Sequence, residues 1–198
     1  MPWFPCLAVM TIGFGCGSIP FGVLFARLRG VNLREVGSGN IGATNAARAL
    51  GKGMGVLVLL CDAGKAAGPL LLLAHLRPAD PTLPWLQAAL GFGAVTGHMY
   101  SPWLRLRGGK GVATGFGAFL ALCPPVAGIA GGVWATLYAL TRTSSVGSLV
   151  AITAVPVLLW LWHAPTAHVV LGVALHPLIV WRHRDNIRRL LRKEESRL

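Results

Sequence analysis

The sequence predicts an all-α integral membrane protein of about seven transmembrane helices, with its N-terminus outside and its C-terminus in the cytoplasm. The 198 residues are 54% apolar and only 12% charged, with a mean hydropathy of +0.62, well outside the range of soluble domains. The apolar residues fall in runs near the 20 or so that a spanning helix needs, or fewer where neighbouring helices shield it. The basic residues crowd into alternate loops between those runs.

Seven segments follow in order: Pro2 to Ala26, Gly53 to His75, Leu83 to Tyr100, Gly111 to Leu122, Pro124 to Leu140, Val146 to Trp162 and Pro165 to Trp181. The fourth is short, and Pro124-Pro125 divides it from the fifth. No Lys or Arg precedes Arg27, so the first segment lacks the basic flank of a cleaved signal peptide and is expected to remain as the first helix. With sides alternating, Arg27 to Lys52, Arg105 to Lys110, Thr141 to Ser145 and the chain after Trp181 share one face, which carries 16 of the 18 Lys and Arg. The positive-inside rule makes that face cytoplasmic. The whole chain, 1–198, reads as a single transmembrane domain with a basic tail over 182–198.

A formal net charge of +12 would suggest nucleic acid as the partner of a soluble protein, but here the charge is interleaved with membrane segments, so no nucleic-acid partner is expected. Cys6, Cys16, Cys61 and Cys123 are isolated, without the spacing of a zinc or redox site; they read as small buried hydrophobes, and no metal or cofactor is expected. Gly64 to Gly68, Gly111 to Gly115 and Gly128 to Gly132 have the spacing that lets helices approach closely. The two halves show no matching repeat, which argues against a secondary transporter.

Three polar clusters fall on the basic face. Gly37-Ser38-Gly39-Asn40-Ile41-Gly42-Ala43-Thr44-Asn45, followed by Arg48, is rich in residues that adopt positive φ, and Ala43 to Leu50 reads as a helix. A helix N-terminus below a glycine-rich turn suits a phosphate; a plain flexible loop is the other reading. Gly97-His98 precedes Leu104 to Thr114, where Gly108-Gly109-Lys110-Gly111 sets a cation among exposed amides at a helix start. This is not a Walker A loop, since its earlier glycine is missing and Gly111 stands where the magnesium-binding Ser or Thr should be. Arg105 and Arg107 also fit a basic interfacial loop. In the third cluster, Trp181 to Leu190, His183 and Asn186 are three apart and would share a helical face, while the arginines beyond suit lipid headgroups.

Asp62 and Lys65, three apart inside the second segment, read as an intramembrane ion pair. Ser148 opens the sixth segment, close to Ser144 and Ser145. His75 to Asp80 has the His-x4-Asp spacing of one acyltransferase group, but it lies on the opposite face from the three clusters.

Together, Gly37 to Asn45, Gly97-His98 with Gly108 to Thr114, and His183-Arg184-Asp185-Asn186-Ile187 resemble the three cytoplasmic motifs of the bacterial acyl-phosphate:glycerol-3-phosphate acyltransferases. The resemblance covers essentially the whole chain. It implies transfer of a fatty acyl group from acyl phosphate to the 1-hydroxyl of sn-glycerol 3-phosphate, giving lysophosphatidic acid and phosphate at the bacterial inner membrane, with no metal. It implies that Ser38, Arg48, Lys110, Ser148, His183 and Asn186 form the glycerol-3-phosphate and catalytic pocket. The turns containing Asn40, Thr44 and Asn45, and Gly108, Gly109 and Gly111, would hold the acyl-phosphate headgroup. His183 would act as general base, or bind substrate while a substrate phosphate takes the proton. The rival reading is a membrane carrier or channel for phosphate or a phosphorylated solute, using the same loops.

Overall fold

The computed structural model describes residues 3–196; Pro2 of the first predicted segment, and Arg197 and Leu198 of the tail, lie outside the described residues. The described residues form ten α-helices and one short 3-10 turn, Pro102–Leu104. The first segment is two helices, α1 (Trp3–Ser18) and α2 (Phe21–Arg27), broken at Pro20, whose ring cannot continue the hydrogen-bond ladder. The others are α3 (Ala43–Leu50), α4 (Lys52–Leu76), α5 (Leu83–Met99), α6 (Val112–Leu122), α7 (Pro124–Thr141), α8 (Ser144–Leu161), α9 (Thr166–Arg182) and α10 (Arg184–Leu191).

Among the described residues, three stretches are long and apolar enough to cross a membrane: Phe4–Arg27, Lys52–Leu76 and Ser144–Leu161. Large apolar side chains such as Phe4, Leu60, Leu72, Trp160 and Val173 face outward, as expected where lipid is the solvent. α6 has 11 residues and therefore rises only about 16 Å, roughly half a hydrocarbon core. α3 and α10 are different in kind: each is short and amphipathic, and each buries one asparagine, Asn45 and Asn186.

Glycine sets the tightest packing. A Cβ on Gly13 or Gly17 would lie 2.2 or 1.9 Å from a carbonyl oxygen of Leu90 or Ala94, and one on Gly93 or Gly97 would lie 2.1 or 2.2 Å from that of Met10 or Phe14. α1 and α5 thus run parallel with two glycine pairs at four-residue spacing pressed backbone to backbone. The three spacings singled out from sequence fare differently: Gly64, Gly68, Gly128 and Gly132 all face open space, and Gly115 makes only an ordinary contact at 3.8 Å with Ile179. Spacing alone does not say which helical face meets a partner. The cysteine expectation also needs correction, since only Cys123 is buried and the other three are half-buried.

The main core joins α5 to α9 through Val95, Met99, Phe119, Ile152, Leu159, Leu175 and Ile179. At one end of this bundle the four basic segments converge. Arg34 donates to the carbonyl of Arg107, Arg182 to that of Gly109 at 3.0 Å, Thr44 meets Ser144 at 3.1 Å, and Ser145 donates to Glu195 at 2.9 Å.

Replacing Gly17 with Val should force α1 from α5 and, at the usual overpacking cost of about 1–3 kcal/mol, lower the melting temperature of the detergent-purified protein by several degrees. Gly64→Ala and Gly128→Ala should melt with the wild type.

Candidate active site

The first glycine-rich loop is shaped by Asn45. Its side chain accepts the Ser38 N–H at 3.0 Å and donates to the carbonyls of Leu33 and Val36, both at 3.0 Å. These bonds leave Asn45 almost wholly buried and curl residues 33–40 over the N-terminus of α3. Gly37 and Gly39 take positive φ, and a Cβ on Gly37 would strike Asn45 Oδ1 at 2.5 Å. Ser38, Asn40, Thr44 and Arg48 are left around the open side of the loop.

The second loop is held from both sides. The Gly108 and Gly109 amides donate to the carbonyls of Met99 and His98 at 2.9 and 3.0 Å, which satisfies orphan acceptors at the end of α5. Arg182 donates to the carbonyls of the same two glycines, at 2.6 Å to Gly108 and 3.0 Å to Gly109. Side chains are excluded here because a Cβ on Gly108 would lie 1.9 Å from the His98 carbonyl oxygen. The expectation that all of Gly108 to Gly111 offers amides to an anion is therefore narrowed: Gly108 and Gly109 are taken, and the amides facing the cavity are those at Lys110 and the first turn of α6. Gly111, at φ 87°, turns the chain into that helix. Arg105 and Arg107 are exposed and lie outside the cavity lining.

Between these loops lies a cavity of about 650 Å³. Ser38, Asn40, Thr44, Asn45, Arg48, Lys110, Gly111, Ser148, His183 and Asn186 all line it, so the structure assembles the sequence-predicted site residues in one place, apart from Gly108 and Gly109, which brace it from behind. Ser144 and Ser145 line it as well; Ser148 donates to its own helix at the Ser144 carbonyl, 2.9 Å away. Away from this polar mouth the wall becomes apolar, with Phe116 and Phe119 from α6, Trp134 and Tyr138 from α7, and Val155 from α8.

His183 is 2% exposed and stands at the junction of α9 and α10. Its Nδ1 lies 2.8 Å from the Ile179 carbonyl, which can only accept, so the proton sits on Nδ1 and Nε2 keeps its lone pair. Burial, then the nearby Lys110 ammonium, lowers its pKa to about 4. The neighbouring arginines are engaged elsewhere: Arg182 binds the glycine turn and Arg184 stacks on Trp181 at 4.3 Å. Lys110 is itself lowered to about 8, chiefly by burial, with Arg189 and Arg48 adding to the shift and Glu195 opposing it.

Glu195 was invisible from sequence. The tail that read as a lipid-binding run folds back, and Glu195 accepts from Asn186 Nδ2 at 2.5 Å, Ser145 Oγ at 2.9 Å and Arg189 Nε at 2.6 Å. Burial opposes its ionisation, but these donors outweigh it and keep it a carboxylate. Arg48 reaches the same tail, donating to the Ser196 carbonyl at 3.1 Å. The one available signal was an acidic pair, Glu194-Glu195, interrupting a basic run.

An all-helical apolar bundle whose basic end encloses a cavity, cationic at the mouth and apolar beyond, defines a membrane protein built for an anionic amphiphile. The family model "Glycerol-3-phosphate acyltransferase" matches residues 7–193. Glycerol-3-phosphate acyltransferases of Anaeromyxobacter sp. (strain Fw109-5) and Myxococcus xanthus (strain DK1622) are 50% and 48% identical, covering 97% and 96% of this chain and 96% and 98% of theirs. The crystal structure of PlsY, an integral membrane glycerol 3-phosphate acyltransferase, in its glycerol 3-phosphate form superposes with a TM-score of 0.91 at 38% identity, covering 98% of this chain and 95% of that one. The lysophosphatidic acid form gives 0.89 at 37% identity, with the same coverage. The chain belongs to the glycerol-3-phosphate acyltransferase family.

The two shifted groups predict a pH profile. Lys110 loses its proton as pH rises through about 8, whereas His183 stays neutral down to about 4. Activity should hold from mildly acidic to neutral pH and fall near 8, and Lys110→Arg, which stays charged, should move that alkaline limb upward by at least two pH units in initial-rate measurements.

Proposed function

We propose that the chain transfers a fatty acyl group from acyl phosphate to the 1-hydroxyl of sn-glycerol 3-phosphate, giving lysophosphatidic acid and inorganic phosphate. Membership of the family carries the acceptor and the product; PlsY has been crystallised in glycerol 3-phosphate and lysophosphatidic acid forms. The acyl-phosphate donor rests on the motif resemblance and on the cavity, whose polar mouth and apolar wall suit an anionic headgroup with an alkyl chain. An acyl phosphate is already activated, so the protein mainly positions two anions and stabilises the carbonyl oxyanion.

In this reading Arg48 and Lys110 offset the repulsion between the two phosphate groups. Ser38, Asn40, Thr44 and the free amides of the loops supply hydrogen bonds, and the Ser148 hydroxyl does so when it turns from the Ser144 carbonyl. Asn45, with its amide committed to the loop, shapes the headgroup site, and Gly108 and Gly109 hold Lys110 in place. The 1-hydroxyl oxygen attacks the acyl carbon and forms the ester bond, the bond from that carbon to the phosphate oxygen breaks, and phosphate departs. His183 Nε2 accepts the hydroxyl hydrogen bond and orients it. An imidazole held to about 4 is a weak base, which supports passage of the proton to a substrate phosphate oxygen. Asn186, tethered to Glu195, braces this corner of the cavity.

The helices fit seven crossings of the bacterial inner membrane, N-terminus outside, with the active site at the cytoplasmic face. Convergence of the four basic segments at one end, and the parallel course of α1 and α5, support that count. The single domain over 1–198 requires neither metal nor nucleic acid.

Purified protein given palmitoyl phosphate and glycerol 3-phosphate should release phosphate only when both are present. Lys110→Met and His183→Ala should each lose about 10²-fold or more in rate while remaining folded. Unaltered rates in both variants would refute these assignments, and solute flux without lysophosphatidic acid would favour the carrier.

A further inference from the structure

Three buried polar side chains lie beneath the Gly108 to Gly111 turn, and the reaction described above uses none of them. Lys65 on α4 directs Nζ to Asp62 Oδ1 at 2.8 Å, to the Ile19 carbonyl at 3.0 Å and to His98 Nδ1 at 2.7 Å. An ammonium has three N–H donors and no acceptor, so these partners use it fully. His98 Nδ1 is thereby an acceptor, and the ring proton sits on Nε2. The 3.7 Å between His98 Nδ1 and Asp62 Oδ1 agrees, because no hydrogen is left to bridge them. Burying an ion pair is unfavourable in itself, and polar clusters inside apolar helices are kept chiefly for function.

The other ring nitrogen abuts the Gly109 turn. His98 is 4% exposed and lines the cavity, and among the described residues no protein group accepts from Nε2. A Cβ on Gly109 would sit 2.1 Å from that nitrogen, so the turn is bare where the ring passes, and the next residue is Lys110. A neutral N–H is therefore held against the turn that carries Lys110, in a ring that lines the cavity and is fixed by a charge pair on another helix.

We propose that His98 contacts the substrate of this reaction, its Nε2–H donating to an oxygen of the acyl phosphate, and that Lys65 and Asp62 are positioning residues that fix its tautomer. The proposal rests on the acyl-phosphate reading above. The acceptor is either a phosphate oxygen or the carbonyl oxygen on which charge grows during attack. Loss of the donor raises KM for the acyl phosphate in the first case and lowers kcat in the second.

His98→Gln and His98→Leu, assayed beside the wild type with palmitoyl phosphate and glycerol 3-phosphate, test it. The Gln amide can donate from about the position of Nε2, whereas Leu fills similar space and cannot. His98→Leu should lose about 10²-fold in kcat/KM for palmitoyl phosphate with KM for glycerol 3-phosphate unchanged, and His98→Gln should recover most of that loss. ¹⁵N spectra of the histidine-labelled wild type should show His98 protonated on Nε2, with a resonance that moves when the hydrolysis-resistant palmitoyl phosphonate is added. A folded Leu variant with wild-type kinetics overturns the proposal. So does an Nδ1-protonated ring, or an Nε2 resonance unmoved at saturating phosphonate, whether or not the Leu variant folds. A wild type that ignores palmitoyl phosphate altogether overturns the donor reading instead.

Discussion

The clamp on the Gly108-Gly109 turn is the constraint on which the site depends. Its amides close the end of α5 and its carbonyls receive Arg182 from α9, so one dipeptide joins the third and the last of the apolar segments. Only glycine fits against the His98 backbone and ring. With the turn fixed, Lys110 is carried to the cavity mouth and the 11-residue α6 starts there. Burial then sets the electrostatics: a cation weakened to about 8 beside an imidazole held to about 4 keeps one charged and the other neutral at physiological pH.

The shape of the cavity argues for chemistry rather than transport. Its apolar end abuts Phe119, Ile152 and Val155 of the main core, behind which Leu159 and Leu175 are fully packed. A carrier would need a path through that core. A fatty chain needs only an apolar slot beside its headgroup, and α4 and α7, each packed on α6, provide the sides of one.

Hydropathy made the helices legible, because each apolar run is bounded by charge, glycine or proline; the break at Pro20 was the detail lost inside a continuous run. The three clusters were legible because glycine, asparagine and lysine have little reason to gather between apolar helices except to bind an anion. Partner choice was not legible. Gly64 and Gly128 carry the same spacing as Gly13 and Gly93, yet only the latter meet a backbone, since which face is buried depends on helices distant in sequence. The carboxylate of Glu195 was hidden for the same reason: its partners Ser145 and Asn186 come together only when the tail folds back across α8 and α10. Asp62 and Lys65 were read as a pair, and the third member, His98, lies 33 residues further on.

The central claim is direct acyl transfer between two substrates held in one cavity. The measurement that tests it most directly follows oxygen. With glycerol 3-phosphate labelled by ¹⁸O at the 1-hydroxyl and unlabelled palmitoyl phosphate, mass spectrometry should find the label retained in the ester of lysophosphatidic acid, with one unlabelled phosphate released per ester formed. Phosphate released in excess of ester, or ester formed only when a thioester donor replaces palmitoyl phosphate, would contradict the account.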